Sequence, residues 1–340
     1  MSENTKQVTI YDVSQVAGVS IATVSRVLND SPSVSEATKV KIRAVMDELD
    51  YEPNAFARGL GTGSMKTIGI LCADVTDIYL ANAVSFLQRD LRSKGFDSVL
   101  HCTGYDYESK RKSMKIMEGR RVDAVIMVGS QYIERINKKN DYILETSKTI
   151  PVMLVNGYLD GDNIYCNLSD DYEAFYDATI QLIEKGSRKI MFLFRELSYS
   201  RNNKWEGYKA ALAKYGLALD ESLILQSNNS MQFVKEDIAA AKENGLEFDA
   251  IIACDDELAI GALKYAKEYN LKIPNELSVI GCNNSVLSIC SRPELSSIDN
   301  MCEQLCSNTV NMLMRVLDHQ CVAKKVVVST RLVKRETTRQ

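Results

Sequence analysis

One arginine set among small residues is where this chain first offers side chains for specific chemistry. In residues 9–29, TIYDVSQVAGVSIATVSRVLN, Arg26 stands with Ile21, Ala22 and Ser25 on the side of a short helix away from Val24, Val27 and Leu28. A guanidinium fork matches the two major-groove acceptors of guanine, and small apolar side chains suit thymine methyls. Tyr11, Val13, Val16 and Ala17 supply an apolar face to a preceding helix. Gly18 suits the left-handed residue that ends that helix, and Ser20 can cap the next one. Two short helices joined by a three-residue turn form a helix-turn-helix, whose second helix enters a major groove. An ordinary helical hairpin packed in a core is the alternative.

A second set of groups follows from alternation. Apolar runs at 68–74, 96–102, 122–129, 151–157, 189–194, 248–256 and 277–283 read as strands. Helical patterns lie between or after them at 81–94, 107–118, 132–146, 170–186, 203–215, 231–245, 256–269 and 301–318. Such alternation implies an α/β core with parallel sheets covered on both faces, long enough here for two doubly wound lobes. Ligands in open α/β sheets lie outside the carboxyl ends of strands. Those ends carry Asp74, Asp77 and Tyr79, then Gly129 and Ser130, Asn156, Asp255 and Asp256, and Asn283 with Asn284. Together they suit a polar, hydroxyl-rich ligand. Each is also a natural helix cap, Asp256 above all.

Catalysis has little to work with. The chain has two histidines, His101 and His319, and no G-x-S-x-G, H-E-x-x-H or Walker pattern. Asp255-Asp256-Glu257 is explained by the helix that starts there. Nine cysteines without a C-x-x-C pair fit free thiols in a reducing compartment. Cys302 and Cys306, one helical turn apart, could share a metal, but no histidine stands near them in sequence. No cofactor is expected. No apolar run reaches membrane-span length and the start MSENTKQ is polar, so a cytoplasmic protein without a membrane partner is expected.

Charge argues against nucleic acid at first sight. The net charge is −4, and residues 1–66 hold seven Lys/Arg against eight Asp/Glu. The acids are displaced, however: Asp47, Glu48, Asp50 and Glu52 crowd the end of a third helix expected from Ser35 to Leu49. That helix is capped by Ser35 or Ser33, with Val40, Ile42, Val45, Met46 and Leu49 as its apolar face.

The pieces T-I-x-D-V, A-G-V-S-x-x-T-V-S-R-V-L-N, V-S-x-x-T and L-x-Y-x-P-N-x-x-A-R-x-L occur in order within residues 8–60. In this the chain resembles the lactose/galactose-repressor family of bacterial transcription regulators, and the likeness continues more weakly to the C-terminus. The resemblance implies an all-α helix-turn-helix head over 1–52 and a hinge helix and linker over 53–66. A periplasmic-binding-protein-like core would follow over 67–340. Its N-lobe would comprise about 67–165 and 297–324, and its C-lobe about 166–296 and 325–340. It implies a repressor whose affinity for a double-stranded DNA operator is controlled by a carbohydrate-like small-molecule effector. Without a heptad tail after LVKRETTRQ, a homodimer is expected. Candidate DNA contacts are Thr9, Ser20, Ile21, Ala22, Thr23, Ser25, Arg26, Asn29, Ser35, Thr38, Asn54, Ala57 and Leu60. A helix as short as Asn54–Leu60 is not stable alone; in the family it folds on DNA and the residue at the Leu60 position wedges into the minor groove. Gly59, Gly61 and Gly63 precede a strand and read as flexible linker.

Candidate effector contacts are Asp77, Tyr79, Ser130, Asn156, Ser200, Lys204, Asp255, Asp256, Asn283 and Asn300. Here the chain departs from the family pattern. In the S-x-x-x-R-x-x-G motif, read here at Ser200–Gly207, Lys204 replaces the usual arginine, and Asn283-Asn284 replace the usual acidic pair. Asp77-Ile78-Tyr79 stands for Asn-Pro-[FY]. A lysine is a point charge where arginine is a fork, and asparagine can donate where aspartate only accepts. A simple neutral hexose is therefore disfavoured, and a sugar acid, a sugar phosphate or another polar metabolite stays open. Control of the same fold by a protein partner is the alternative.

Overall fold

The computed structural model describes residues 8–28, 31–51, 64–134, 137–227 and 231–339, with the side chains of 137 and 138 left aside. The expected sites Asn29, Asn54, Ala57 and Leu60 lie outside them. Two compact units are present, a helical head and an α/β core.

In the head, α1 (Ile10–Ala17), α2 (Ile21–Leu28) and α3 (Glu36–Glu48) enclose a small core of Val13, Ala17, Val24, Val27, Val34, Ile42, Val45 and Met46. Thr9 closes a capping box with Asp12 (Thr9 N to Oδ2, 2.8 Å), and Gly18 takes φ +65° at the turn. The expected phase of α1 is corrected. Tyr11 and Val16 are exposed while Val13 and Ala17 are buried, since Ile10, Val13 and Ala17 share the inward stripe. Val40 of α3 likewise points outward, and Ser35 rather than Ser33 caps that helix.

The core holds two six-stranded sheets. The first runs β11-β5-β4-β3-β1-β2, built from β1 (Thr67–Cys72), β2 (Asp97–Cys102), β3 (Ala124–Val128), β4 (Val152–Val155), β5 (Ile164–Ser169) and β11 (Lys325–Val328). The second runs β12-β10-β9-β8-β6-β7, from β6 (Ile190–Phe194), β7 (Ile224–Gln226), β8 (Ala250–Ala253), β9 (Ser278–Cys282), β10 (Ser296–Asp299) and β12 (Arg331–Val333). Central strands such as β3 and β6 are buried throughout, as a sheet covered on both faces requires. The expected all-parallel pattern fails at one edge, where β12 runs antiparallel to β10.

Around the first sheet lie α4 (Ile78–Ser93), α5 (Tyr107–Gly119), α6 (Asp141–Ser147) and α12 (Cys302–Leu317). The second is flanked by α7 (Asp171–Glu184), α8 (Tyr199–Lys214), α9 (Met231–Glu243), α10 (Asp256–Glu268) and α11 (Val286–Cys290). The helix expected over 132–146 is confined to α6, preceded by short 3-10 turns. Among the described residues no helix is long and apolar enough to cross a membrane. No cluster of three or more metal-ligating side chains forms among them, and Cys302 and Cys306 are free thiols.

The chain passes between sheets after β5, after β10 and after β11, each a few residues later than expected near 165, 296 and 325. Of these strands, β5 and β10 were illegible because they are short and carry polar residues. Ser296, Ser297 and Asn167 are fully buried, and the two serines are placed by bonds to Thr338 Oγ1 and to Asp256.

Asp256, expected in the effector set, has this structural work instead. At the first turn of α10 it accepts from Ser285 N (2.6 Å) and Ser297 Oγ (2.5 Å), tying three segments of the second lobe. A Cβ at Gly281 would strike its carboxylate. Burial pushes its carboxyl up to about 6, against those two donors. A carboxyl raised on folding stabilises the native state only while protonated. Stability contributed by Asp256 is therefore present near pH 4 and lost as pH rises through about 6. Asp256→Asn can keep both contacts, accepting from Ser285 and donating to Ser297. Urea unfolding across this range should show wild type losing roughly 2–3 kcal/mol relative to the variant between pH 4 and pH 7. Parallel profiles would show that Asp256 does not titrate in the fold.

Candidate functional sites: the reader helix and the cleft between the lobes

In the head, Ser20 caps α2, its oxygen accepting from Thr23 N (3.2 Å) and pairing with Thr23 Oγ1 (2.9 Å). Ser35 does the same for α3 with Thr38 (3.3 and 2.8 Å). Thr9, Ser20, Thr23, Ser35 and Thr38 thus set helix starts. Because Val24 and Val27 must face the small core, Ile21, Ala22 and Arg26 are turned outward, with Ser25 half-buried beside them. Three side chains at i, i+1 and i+5 on a short exposed helix can present one apolar and one forked donor surface to a groove.

The core contains a cavity of about 350 Å³ at the strand ends. Nine of the ten expected effector residues line it: Asp77, Tyr79, Ser130, Asn156, Ser200, Lys204, Asp255, Asn283 and Asn300. Asp256 is the exception. Asp77 caps α4 through Leu80 N (2.9 Å), which carries Tyr79 into the cleft. Asn156, in the left-handed region at φ +61°, donates to Tyr79 Oη (2.8 Å) and accepts from Ser169 N (2.8 Å). Asn283, at φ +98°, accepts from Asn300 Nδ2 (2.8 Å). Asparagine tolerates these conformations better than other side chains. Asn300 Oδ1 is buried with no hydrogen-bond partner.

Lys204 is buried because Gly207 lets α8 close on α7; a Cβ there would collide with the Tyr172 carbonyl. Its ammonium donates to Cys254 O (2.9 Å) and sits 5.5 Å from the Phe175 ring centre. Burial disfavours that charge, but the Cys282 thiol and the Asp171 carboxylate facing it hold it above the usual lysine range. Burial in turn raises the Asp171 carboxyl, against Lys204 and the Ser200 hydroxyl.

Sequence reading missed Leu80, Tyr105, Gln131, Arg195, Glu196, Ser198, Arg201 and Cys254, which also line the wall. Tyr105 follows β2, and Arg195 and Glu196 follow β6 directly. The strand-end rule applied to those two strands finds all three. Arg195 bridges Asp255 (2.9 Å) and Glu257 (2.7 Å). The Arg201 guanidinium lies 4.1 Å from the centre of the Phe194 ring. Burial raises the carboxyls of Asp77 and Glu196 above their ordinary values.

Comparison with known proteins agrees with both regions. Residues 9–54 match the family described as bacterial regulatory proteins, lacI family, and residues 179–338 match the periplasmic binding protein-like domain. An HTH-type transcriptional regulator of Lachnoclostridium phytofermentans is 50% identical over 329 residues, covering 97% of this chain and 99% of its own length. The lac repressor dimer bound to operator and the anti-inducer ONPF has the same fold: TM-score 0.88, 23% identity, 98% of this chain and 99% of that one. The transcriptional regulator CelR–cellobiose complex superposes at TM-score 0.71, with 22% identity over 97% of this chain and 100% of that one. The chain belongs to the lacI family of bacterial regulatory proteins and is a DNA-binding transcription regulator.

Proposed function

We propose that this regulator is a cytoplasmic repressor that binds a near-palindromic operator as a homodimer, its affinity set by a small polar metabolite in the cleft. The observation that carries this reading is the cavity lined by polar and charged side chains from both lobes. A ligand held from both sides favours one lobe arrangement. Through the linker at 53–66 that preference would alter how two heads meet mirrored half-sites. A CelR regulator of this fold holds cellobiose and a lac repressor dimer of this fold holds operator, which supports both halves of the proposal.

Ile21 and Ala22 are assigned to apolar base contacts and Arg26 to a guanine in each half-site. Arg26→Ala should cost about 1–3 kcal/mol and relax preference at one position per half-site. Binding selections from a random duplex pool will read this; an equal loss on every sequence would make Arg26 a phosphate contact.

The cleft is tested by operator affinity in the presence of metabolites. Substituting Lys204 or Asn283 should abolish the response and leave binding without metabolite unchanged. A response that survives changes at Tyr79, Lys204, Asn283 and Asn300 would place control elsewhere and favour a protein partner.

A further inference from the structure

The reader head must hold a polyanion with almost no net charge of its own, since residues 1–66 carry seven Lys/Arg and eight Asp/Glu. Backbone phosphates are held by cations, and the head is a poor source of them. The first sheet of the core is a better one. Its strands β2, β1 and β3 are neighbours. β1 and β3 pair in parallel from Ile68 and Ala124 onward. Beyond the far ends of β1 and β2, Thr103 N donates to Cys72 O (2.8 Å) and Gly104 N to Ala73 O (3.0 Å), so β2 runs the same way. The turns leading into these three strands carry Arg92 and Lys94, then Lys66, then Arg120 and Arg121, all five exposed. Neighbouring strands lie about 4.8 Å apart, so the three turns share an edge about 10 Å long.

This edge is positive in a chain whose net charge is −4. Residues 64–67, 92–97 and 119–123 hold five basic and two acidic side chains. One of the two acids, Asp123, is committed to the chain itself, accepting from Met65 N (2.8 Å), Ser64 Oγ (2.9 Å) and Thr67 N (3.2 Å). Glu118, just before the last turn, accepts from Thr146 Oγ1. The side chains of Arg92, Lys94, Arg120 and Arg121 make no ion pair or hydrogen bond among the described residues. A basic residue at a helix C-terminus is ordinary, because it meets the negative end of the helix dipole. Arg92 and Lys94 at the end of α4 fit that reading. Arg121 does not: it stands past the end of α5 at φ +53°, a left-handed position where glycine is favoured. Through Asp123, the same turn also fixes the last residues of the linker.

We propose that this edge is a second DNA contact, gripping backbone phosphates of the duplex that the reader helix occupies. The two are tethered: even fully extended, the chain from Tyr51 to Ser64 spans no more than about 45 Å. A tether supplies a high effective concentration, so contacts too weak to bind alone still add to the grip. Phosphate contacts carry no sequence information. The edge therefore strengthens binding to every duplex and leaves the choice of sequence to the reader helix. This holds whatever the cleft binds.

Fluorescence anisotropy of the full chain on a mixed-sequence duplex several helical turns long, repeated across salt concentrations, tests it. Lys94→Gln with Arg120→Gln removes one cation from each side of β1. The slope of log affinity against log salt should flatten by about 2, and affinity near 0.1 M salt should fall about tenfold or more. On a duplex selected from a random pool the loss should be the same factor. Arg121→Gly suits the backbone of its turn, so it keeps the fold, and it should flatten the slope by about 1. Lys264→Gln with Lys272→Gln removes equal charge from exposed positions of the second lobe and should leave the slope unchanged. A slope unchanged in the edge variants overturns the proposal. So does equal flattening in the second-lobe variant, which would reduce the effect to net charge. A loss confined to the selected duplex also overturns it, because these side chains would then serve sequence reading.

Discussion

Charges withdrawn from water must be given partners, and in the core of this regulator most of those partners are built in. That requirement organises the core. Lys204 can be buried in α8 because Gly207 brings the helix onto α7, where Asp171 and the Cys254 carbonyl receive the charge. Arg195 is drawn between Asp255 and Glu257, which fixes the start of α10. Asp256 is met by a serine hydroxyl and a backbone amide, and it holds β10 and the β9–α11 turn together. Asp77, Glu196, Arg201 and Asn300 line the cavity beside these pairs. Under the proposed function, a ligand held by groups from both lobes would shift the balance between lobe arrangements.

The head works under the opposite economy. Its residues are nearly neutral in sum, so non-specific attraction to phosphates is modest. Its caps are all satisfied internally: Thr9 with Asp12, Ser20 with Thr23, Ser35 with Thr38. Rigid helix starts on so small a core leave Ile21, Ala22 and Arg26 held outward at fixed angles. Shape and direct base contact are then what such a reader has to offer.

Most of this architecture was legible in the sequence. The long apolar strands β1, β3, β4, β6, β8 and β9 announce themselves by hydropathy, and the helix-turn-helix by its glycine and its spacing. The crossing strands β5 and β10 did not, because they bury polar side chains: Ser296 and Ser297 are met by the distant Thr338 and Asp256, and Asn167 reaches only the Met312 sulfur. Within the site, Asp77, Tyr79 and Asn283 followed from strand ends. Glu196 and Tyr105 follow by the same rule from strands whose ends were passed over. Asp256 shows the rule's limit, since a strand-end acid can equally turn inward as a structural tie. In α1 the pattern misled by one phase: Tyr11 and Val16 are apolar enough for a core, yet only Ile10, Val13 and Ala17 share the angle that faces it.

The account's central claim is that occupancy of the cleft and grip on the operator are one coupled equilibrium. Coupling of this kind is reciprocal. The most direct test is to titrate the tightest-binding metabolite into the protein free and then saturated with operator duplex. The two dissociation constants should differ by the same factor by which that ligand changes operator affinity, on the order of five- to 150-fold. Equal ligand affinity in both states would contradict the account.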